Sequence, residues 1–244
     1  MYLTLMLFAA VLLPVPAVAV SMKKRTTPFR SVLEGVIAGA VGAVVIMILA
    51  SAAGNNIFET LQENIRYMAR VLATDPNMES LLGSDTTAAQ RAEALERLYG
   101  QAADLLPSTI CIIAAIAAYI EYILLSKVIK WNGVRPVPMT KFKEFDLPRN
   151  IILGWLVLFG LSWIVTKTGI MPNDLVYLNI TALFNFAFCL QGMSVIFMFF
   201  YRKRVPKAIA VIVILFFLFS NYGKLILMLL GFTDVLFRLK ERLK

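Results

Sequence analysis

The chain has 244 residues, of which 59% are hydrophobic and 16% charged, with a formal net charge of +9. Soluble domains run at about 45–50% apolar and about 25% charged, so the composition excludes a soluble globular enzyme, a disordered chain and a coiled coil. It points to an all-α fold, a polytopic membrane helical bundle of about 6–7 transmembrane helices.

Absent residue types narrow the chemistry. With 0 His, Ser-His-Asp, Cys-His and His-metal sites are excluded. Cys111 and Cys189 each lie in an apolar run, which suits buried inert thiols. No GxxxxGK or GxGxxG string occurs. The sequence therefore offers no catalytic set, no metal site and no cofactor, and reads as a non-enzyme. Any ATP must be handled by another chain.

The elements follow in chain order as one integral membrane domain over residues 1–244. The first span is 2–20, uncharged and interrupted by Pro14 and Pro16. The basic cluster Lys23-Lys24-Arg25 follows it, opposite to the order of a signal peptide. The second span, 32–53, carries Gly35 and Gly39 as GxxxG, a close-packing surface. Residues 54–106 form the one long polar stretch. Ile57, Leu61, Ile65, Met68 and Leu72 recur at helical spacing, Asp75-Pro76-Asn77 breaks the pattern, and a second helix starts after Ser84-Asp85. This segment is predicted as an extracytoplasmic helical cap between the second and third spans. The third span, 108–126, is Ala-rich, with Ala114 and Ala118 one turn apart. The fourth is 150–166 and the fifth 175–201. A single helix over 208–237 would be about 45 Å long and would strand Lys224, so two shorter helices, 208–222 and 225–237, are predicted around a turn at Ser220–Lys224.

The charge then becomes a topology signal. Lys23, Lys24, Arg25 and Arg30 follow span one. Lys127, Lys130, Arg135, Lys141, Lys143 and Arg149 follow span three. Arg202, Lys203, Arg204 and Lys207 follow span five, and Arg238, Lys240, Arg242 and Lys244 the last. These 18 of the 24 basic residues occupy alternate segments. The positive-inside rule places them, and the C-terminus, in the cytoplasm. An apolar chain with this pattern sits in the lipid bilayer of the bacterial cytoplasmic membrane, and no nucleic acid is needed to explain its charge. Seven spans put the N-terminus outside, a parity that further helices upstream would alter.

Ionisable residues within spans mark candidate sites. Glu121 lies about 9 Å from the cytoplasmic end of its helix. Glu34, near the start of its span, reaches the interface, and the two carboxylates are a candidate pair. Asp234 and Arg238 stand at i,i+4 and are expected to pair locally, while Lys224 snorkels outward. On span five, Thr181, Asn185 and Cys189 form a polar stripe with Gly192 one turn on. That stripe serves either a substrate cavity or hydrogen bonds between helices. Asn179 and Gln191 lie off it.

Two stretches resemble a known family. Phe142-Lys143-Glu144-Phe145-Asp146-Leu147-Pro148 has the form F-x-x-[WF]-x-[LF]-P ahead of a membrane helix. Leu230-Gly231-Phe232-Thr233-Asp234-Val235-Leu236-Phe237-Arg238 is similar to an L-G-x-x-D-x-x-F…R close, the Arg here following the Phe directly. Both resemble the YybS-like bacterial multi-pass membrane proteins, a family of unknown function, over roughly residues 7–244. Gly231, Asp234 and Arg238 carry the C-terminal part. The resemblance implies a distant relation to the S components of energy-coupling-factor (ECF) transporters. Those proteins take up a small molecule from outside and dock on a membrane T subunit and ATPase partners through small-residue faces. It implies a transport-associated role, with Thr181, Asn185 and Glu121 as substrate-cavity candidates. Gly35, Gly39, Ala114 and Ala118 become helix-packing or partner-docking faces. The acidic outer segment departs from S components. The alternative is a membrane scaffold or regulator without a substrate, acting through its basic cytoplasmic loops.

Overall fold

The computed structural model describes residues 2–75, 77, 86–131, 136–168 and 175–242, without the side chains at 58 and 221. The expected break at Pro76, the helix start at Ser84-Asp85 and the turn at 132–135 lie outside the described residues. Every described element is helical, and the chain packs as two compact units, Met1–Val137 and Pro138–Lys244.

In unit 1, α1 (Tyr2–Leu12) and α2 (Pro14–Lys23) together form one apolar length of 22 residues, enough to cross a bilayer. Pro14 enters at the first turn of α2, where its missing N–H costs little. A short turn follows, tied by Ser21, Thr26 and Ser31, whose hydroxyls sit 2.6 and 2.9 Å apart in sequence. Thr27 then caps α3 (Pro28–Ala52) by accepting from the Arg30 N–H. After α3 come α4 (Ile57–Ala73) and α5 (Ala88–Asp104), which pack on each other through Ala69, Ala73 and Leu95. Thr87 and Gln90 form a capping box at the start of α5. Arg91 is buried there, donating to the carbonyls of Ala73 and Thr86. Beyond Leu105 the chain enters α6 (Leu106–Trp131), longer than the expected 108–126 because Lys127 and Lys130 continue the helix.

Small residues let α1, α2, α3 and α6 approach closely. A Cβ placed on Gly35 would stand 2.9 Å from Ala118 Cβ, and one on Gly39 would stand 3.0 Å from Ala114 Cβ. The four small residues singled out for packing or docking thus face one another inside unit 1, and Ala114 and Ala118 are fully buried. In a bilayer there is little hydrophobic drive between helices, so such van der Waals contact is what holds them together.

Unit 2 opens with an extended segment containing a single 3-10 turn, Phe142–Glu144. α7 (Asn150–Thr168) and α8 (Leu175–Arg202) follow, both long and apolar enough to cross. Then come α9 (Lys207–Phe219), α10 (Asn221–Phe237) and the short α11 (Leu239–Arg242). Ser220 separates α9 from α10, with its hydroxyl accepting from the Gly223 N–H. The two helices are bent by 113°.

Among the described residues, five helices are long and apolar enough to cross, or six where the bent pair α9–α10 counts as one span. α9 and α10 have 13 and 17 residues, about 20 and 26 Å at 1.5 Å per residue, and the hydrocarbon core is about 30 Å thick. Neither helix crosses alone. The pair also starts a few residues after Arg202 and comes back to it, since Arg202 donates to the Arg242 carbonyl at 3.4 Å. By length and bend the pair is a broken span or a re-entrant loop.

Candidate functional site: a buried carboxylate–lysine network

The site is built where α8 meets α10. Gly192 and Gly231 lie at this crossing. A Cβ on Gly192 would run into the Leu227 carbonyl, and one on Gly231 into the Phe188 carbonyl. Only glycine allows the two backbones this near. Phe188 and Val235 pack on one side of the crossing, and Ile196 and Leu227 on the other.

Beside the glycines, Gln191 is completely buried. Its Oε1 accepts from the Leu147 N–H at 3.0 Å. Its Nε2 donates to Asp146 Oδ1 at 2.9 Å and to Asp234 Oδ2 at 2.6 Å. One amide therefore joins the extended segment, α8 and α10. Asp234 is 2% exposed, and its other oxygen accepts the Lys240 backbone N–H at 2.8 Å. Lys240, 6% exposed, points its ammonium into the same place. The Nζ lies 3.5 Å from Asp146 Oδ1 and 3.5 Å from Asp234 Oδ2. It also donates to the Phe145 carbonyl and reaches Ser194 Oγ at 3.4 Å. Ser194 in turn donates to the Phe145 carbonyl at 3.0 Å. One buried carboxylate, Asp234, and one exposed one, Asp146 (70% exposed), thus share one ammonium. A small polar cavity of about 70 Å³, lined by Lys143, Asp146, Asp234, Lys240 and Glu241, adjoins the network. That is room for about two waters at roughly 30 Å³ each.

The buried members of the network that α8 contributes stand on an apolar stretch of that helix. Gln191 and Ser194 are eleven and eight residues short of Arg202, about 16 and 12 Å along the helix. The turns between them and Arg202 are apolar, from Val195 to Tyr201, and pack on α9, whose uncovered face (Ile209, Val211, Ile212, Leu215, Phe216) is wholly apolar. The extended segment runs along these same turns. Lys143 Nζ stands 3.1 Å from the Tyr201 ring centre, and the Phe142 ring meets Phe197 at 5.5 Å. Non-helical backbone packed against apolar helices is stable only where its polar groups find partners. Gln191, Ser194 and Lys240 do this for Phe145 and Leu147.

Several expectations are corrected. Arg238 does not pair with Asp234. It adopts a left-handed conformation (φ 50°) that ends α10, and its guanidinium pairs with Glu241 at 2.9 Å. Helical i,i+4 spacing no longer applies across that residue. The cavity candidates Thr181 and Asn185 lie apart from the apolar cleft of unit 2. The principal cleft of unit 2, about 520 Å³, lies beside the second half of α8 and is lined by residues such as Val195, Phe199 and Phe217. Thr181 and Asn185 do not line it. Thr181 Oγ1 is buried without a hydrogen-bond partner, and Asn185 is exposed. Cys189 and Gly192, the rest of the stripe, serve helix packing, with Cys189 Sγ 3.6 Å from the Lys224 carbonyl. In unit 1, Glu121 Oε2 is buried without a partner, while Glu34 pairs with Arg30 at 2.9 Å. The two glutamates therefore do not hydrogen-bond each other. Lys224 is exposed. Gln191, Ser194, Asp146 and Lys240, none of them nominated as site residues from the sequence, build the network with Asp234.

Helices that span, a bent helix pair and a buried ionic site define the class: a polytopic helical membrane protein. The chain belongs to the family described as "Predicted membrane protein (DUF2232)", whose model matches residues 1–235. It is 21% identical over 222 residues to the uncharacterized protein YybS of Bacillus subtilis strain 168, which covers 91% of this chain and 71% of that relative. No solved structure matches the chain. The YybS-like resemblance carried by the Phe142 and Leu230 stretches is thereby shown.

Proposed function

We propose that the protein is a transport-associated component of the bacterial cytoplasmic membrane, similar in type to a substrate-binding S component that relies on separate energising partners. Its Arg202–Arg242 end lies in the cytoplasm, the side favoured by the clustered basic residues. The observation that supports the reading best is the buried Gln191–Asp234–Lys240 cluster, with the exposed Asp146 at its edge. Ionisable groups at membrane depth are costly and mark ion or substrate pathways, and discontinuous helices such as α9–α10 are the usual place for transporter sites. With two carboxylates to one ammonium, the network has capacity for one further positive charge. No catalytic role is included.

The test is native mass spectrometry of protein released from its own membrane in mild detergent. A bound small molecule or a co-purifying T subunit and ATPase, lost in Asp234→Asn while the protein stays folded, is expected. Purification without ligand or partner from cells where the protein is active removes the proposal.

A second reading, a scaffold or regulator, is favoured by one observation. The basic loop leading to α7 is bolted to α8 through Phe145 and Leu147, giving an ordered surface at that end. Replacing residues 127–149 with an unrelated loop abolishes activity under this reading. Retained activity rejects it.

A further inference from the structure

The cleft of about 520 Å³ in unit 2 plays no part in the network just described. Its volume lies within the roughly 300–1,000 Å³ typical of small-molecule pockets. Its walls come from α8, α9 and α10, including Ile196, Phe200, Val213 and Leu230, and are almost wholly apolar. One charged residue lines it, Arg242. Arg202 adjoins that wall without lining the cleft, its Nη1 donating to the Arg242 backbone carbonyl at 3.4 Å. Among the described residues neither arginine forms an ion pair, and the nearby carboxylates are engaged elsewhere: Glu241 with Arg238, Asp234 with Lys240 and Gln191. Lys203, Arg204 and Lys207 follow directly in sequence and are exposed. An apolar cleft with Arg242 in its wall and Arg202 adjoining that residue is complementary to a molecule with a long hydrocarbon chain and an anionic head. Planar guanidinium groups are well matched to phosphate oxygens, and the exposed faces of α9 and α10 beside the cleft are apolar, as lipid contact requires.

We infer that unit 2 holds one anionic phospholipid as a bound ligand, with an acyl chain in the cleft between α8, α9 and α10 and its phosphate on Arg242 and Arg202. The inference is independent of any transport role. The site is distinct from ordinary lipid contact, because it selects a head group by charge and a chain by shape.

The experiment uses the full chain, stripped of lipid in detergent and titrated by native mass spectrometry. The probes are dioleoyl phosphatidylglycerol, dioleoyl phosphatidylcholine, oleate and inorganic phosphate. One phosphatidylglycerol per chain is expected to bind at least tenfold more tightly than phosphatidylcholine. Arg242→Gln and Arg202→Gln each reduce that binding about tenfold. Lys207→Gln, the same loss of charge outside the cleft, leaves it unchanged. Val213→Trp, which fills the slot, abolishes it. Should Val213→Trp fail to fold, the contrast between Arg242→Gln and Lys207→Gln decides. Equal binding of the two phospholipids overturns the inference, as does tighter binding of oleate or full competition by inorganic phosphate alone.

Discussion

Gln191 shows how one side chain organises the site. It offers one acceptor and two donors, and all three are used, on Leu147, Asp146 and Asp234. Gln191→Leu keeps the volume but leaves a buried backbone N–H and two carboxylates without that partner. A buried unsatisfied group costs about 1–3 kcal/mol, and more when charged, so a loss of about 3 kcal/mol is expected, read as a fall in the thermal unfolding midpoint in nanodiscs. Lys240→Met removes the only ammonium from the network, and breaking one half of a buried ion pair costs about 3–5 kcal/mol. Combining it with Asp234→Asn restores part of that loss. A double-mutant cycle in which the two losses simply add shows that the 3.5 Å contact carries no coupling. These residues were hard to read from sequence for a definite reason. Asp146 and Asp234 lie 45 and 43 positions from Gln191, and one of three amides on an apolar helix reads as one more interhelical hydrogen bond. Arg238 misled in the opposite way, because its left-handed backbone ends the helix on which the i,i+4 rule depends.

Helix boundaries were far more legible, since length and apolarity fix them directly. The expected spans at 32–53, 150–166 and 175–201 correspond to α3, α7 and α8 within a few residues. The break near Pro14 and the cap at Thr27 likewise follow from local chemistry. Packing partners are a different matter, because a glycine announces that something comes close without saying what. Gly231 and Gly154 illustrate this. A Cβ on Gly231 meets the Phe188 backbone, whereas one on Gly154 meets nothing within 4 Å. Gly231→Ala is therefore expected to force α10 off α8 and to destabilise by about 1–3 kcal/mol, the usual cost of overpacking. Gly154→Ala, in the helical conformation of α7, is expected to stabilise by about 0.4–1 kcal/mol by restricting the unfolded chain. Denaturation of the two variants side by side checks the pair. Equal effects would show that the glycine crossing carries no packing energy.

At the scale of the whole molecule the open quantity is the number of crossings. A final hairpin that spans and returns would bring its tip, Ser220–Lys224, to the outer surface. A re-entrant pair gives a different answer. α9 has 13 residues, about 20 Å of helix against a core of about 30 Å, and the chain turns by 113° before reaching the far side. Both arrangements leave Arg204 and Arg242 on one side and Glu63 on the other, so charge counting alone does not separate them. Labelling with a membrane-impermeant thiol reagent does, in a background where Cys111 and Cys189 are replaced by Ala or Ser. Glu63→Cys is expected to react from the outside of intact cells, and Arg204→Cys only after the inner face is opened. Lys224→Cys is expected to resist the reagent from outside, because the tip stops within the apolar layer. Labelling of Lys224→Cys from outside at the rate of Glu63→Cys would restore two full crossings and remove the re-entrant hairpin.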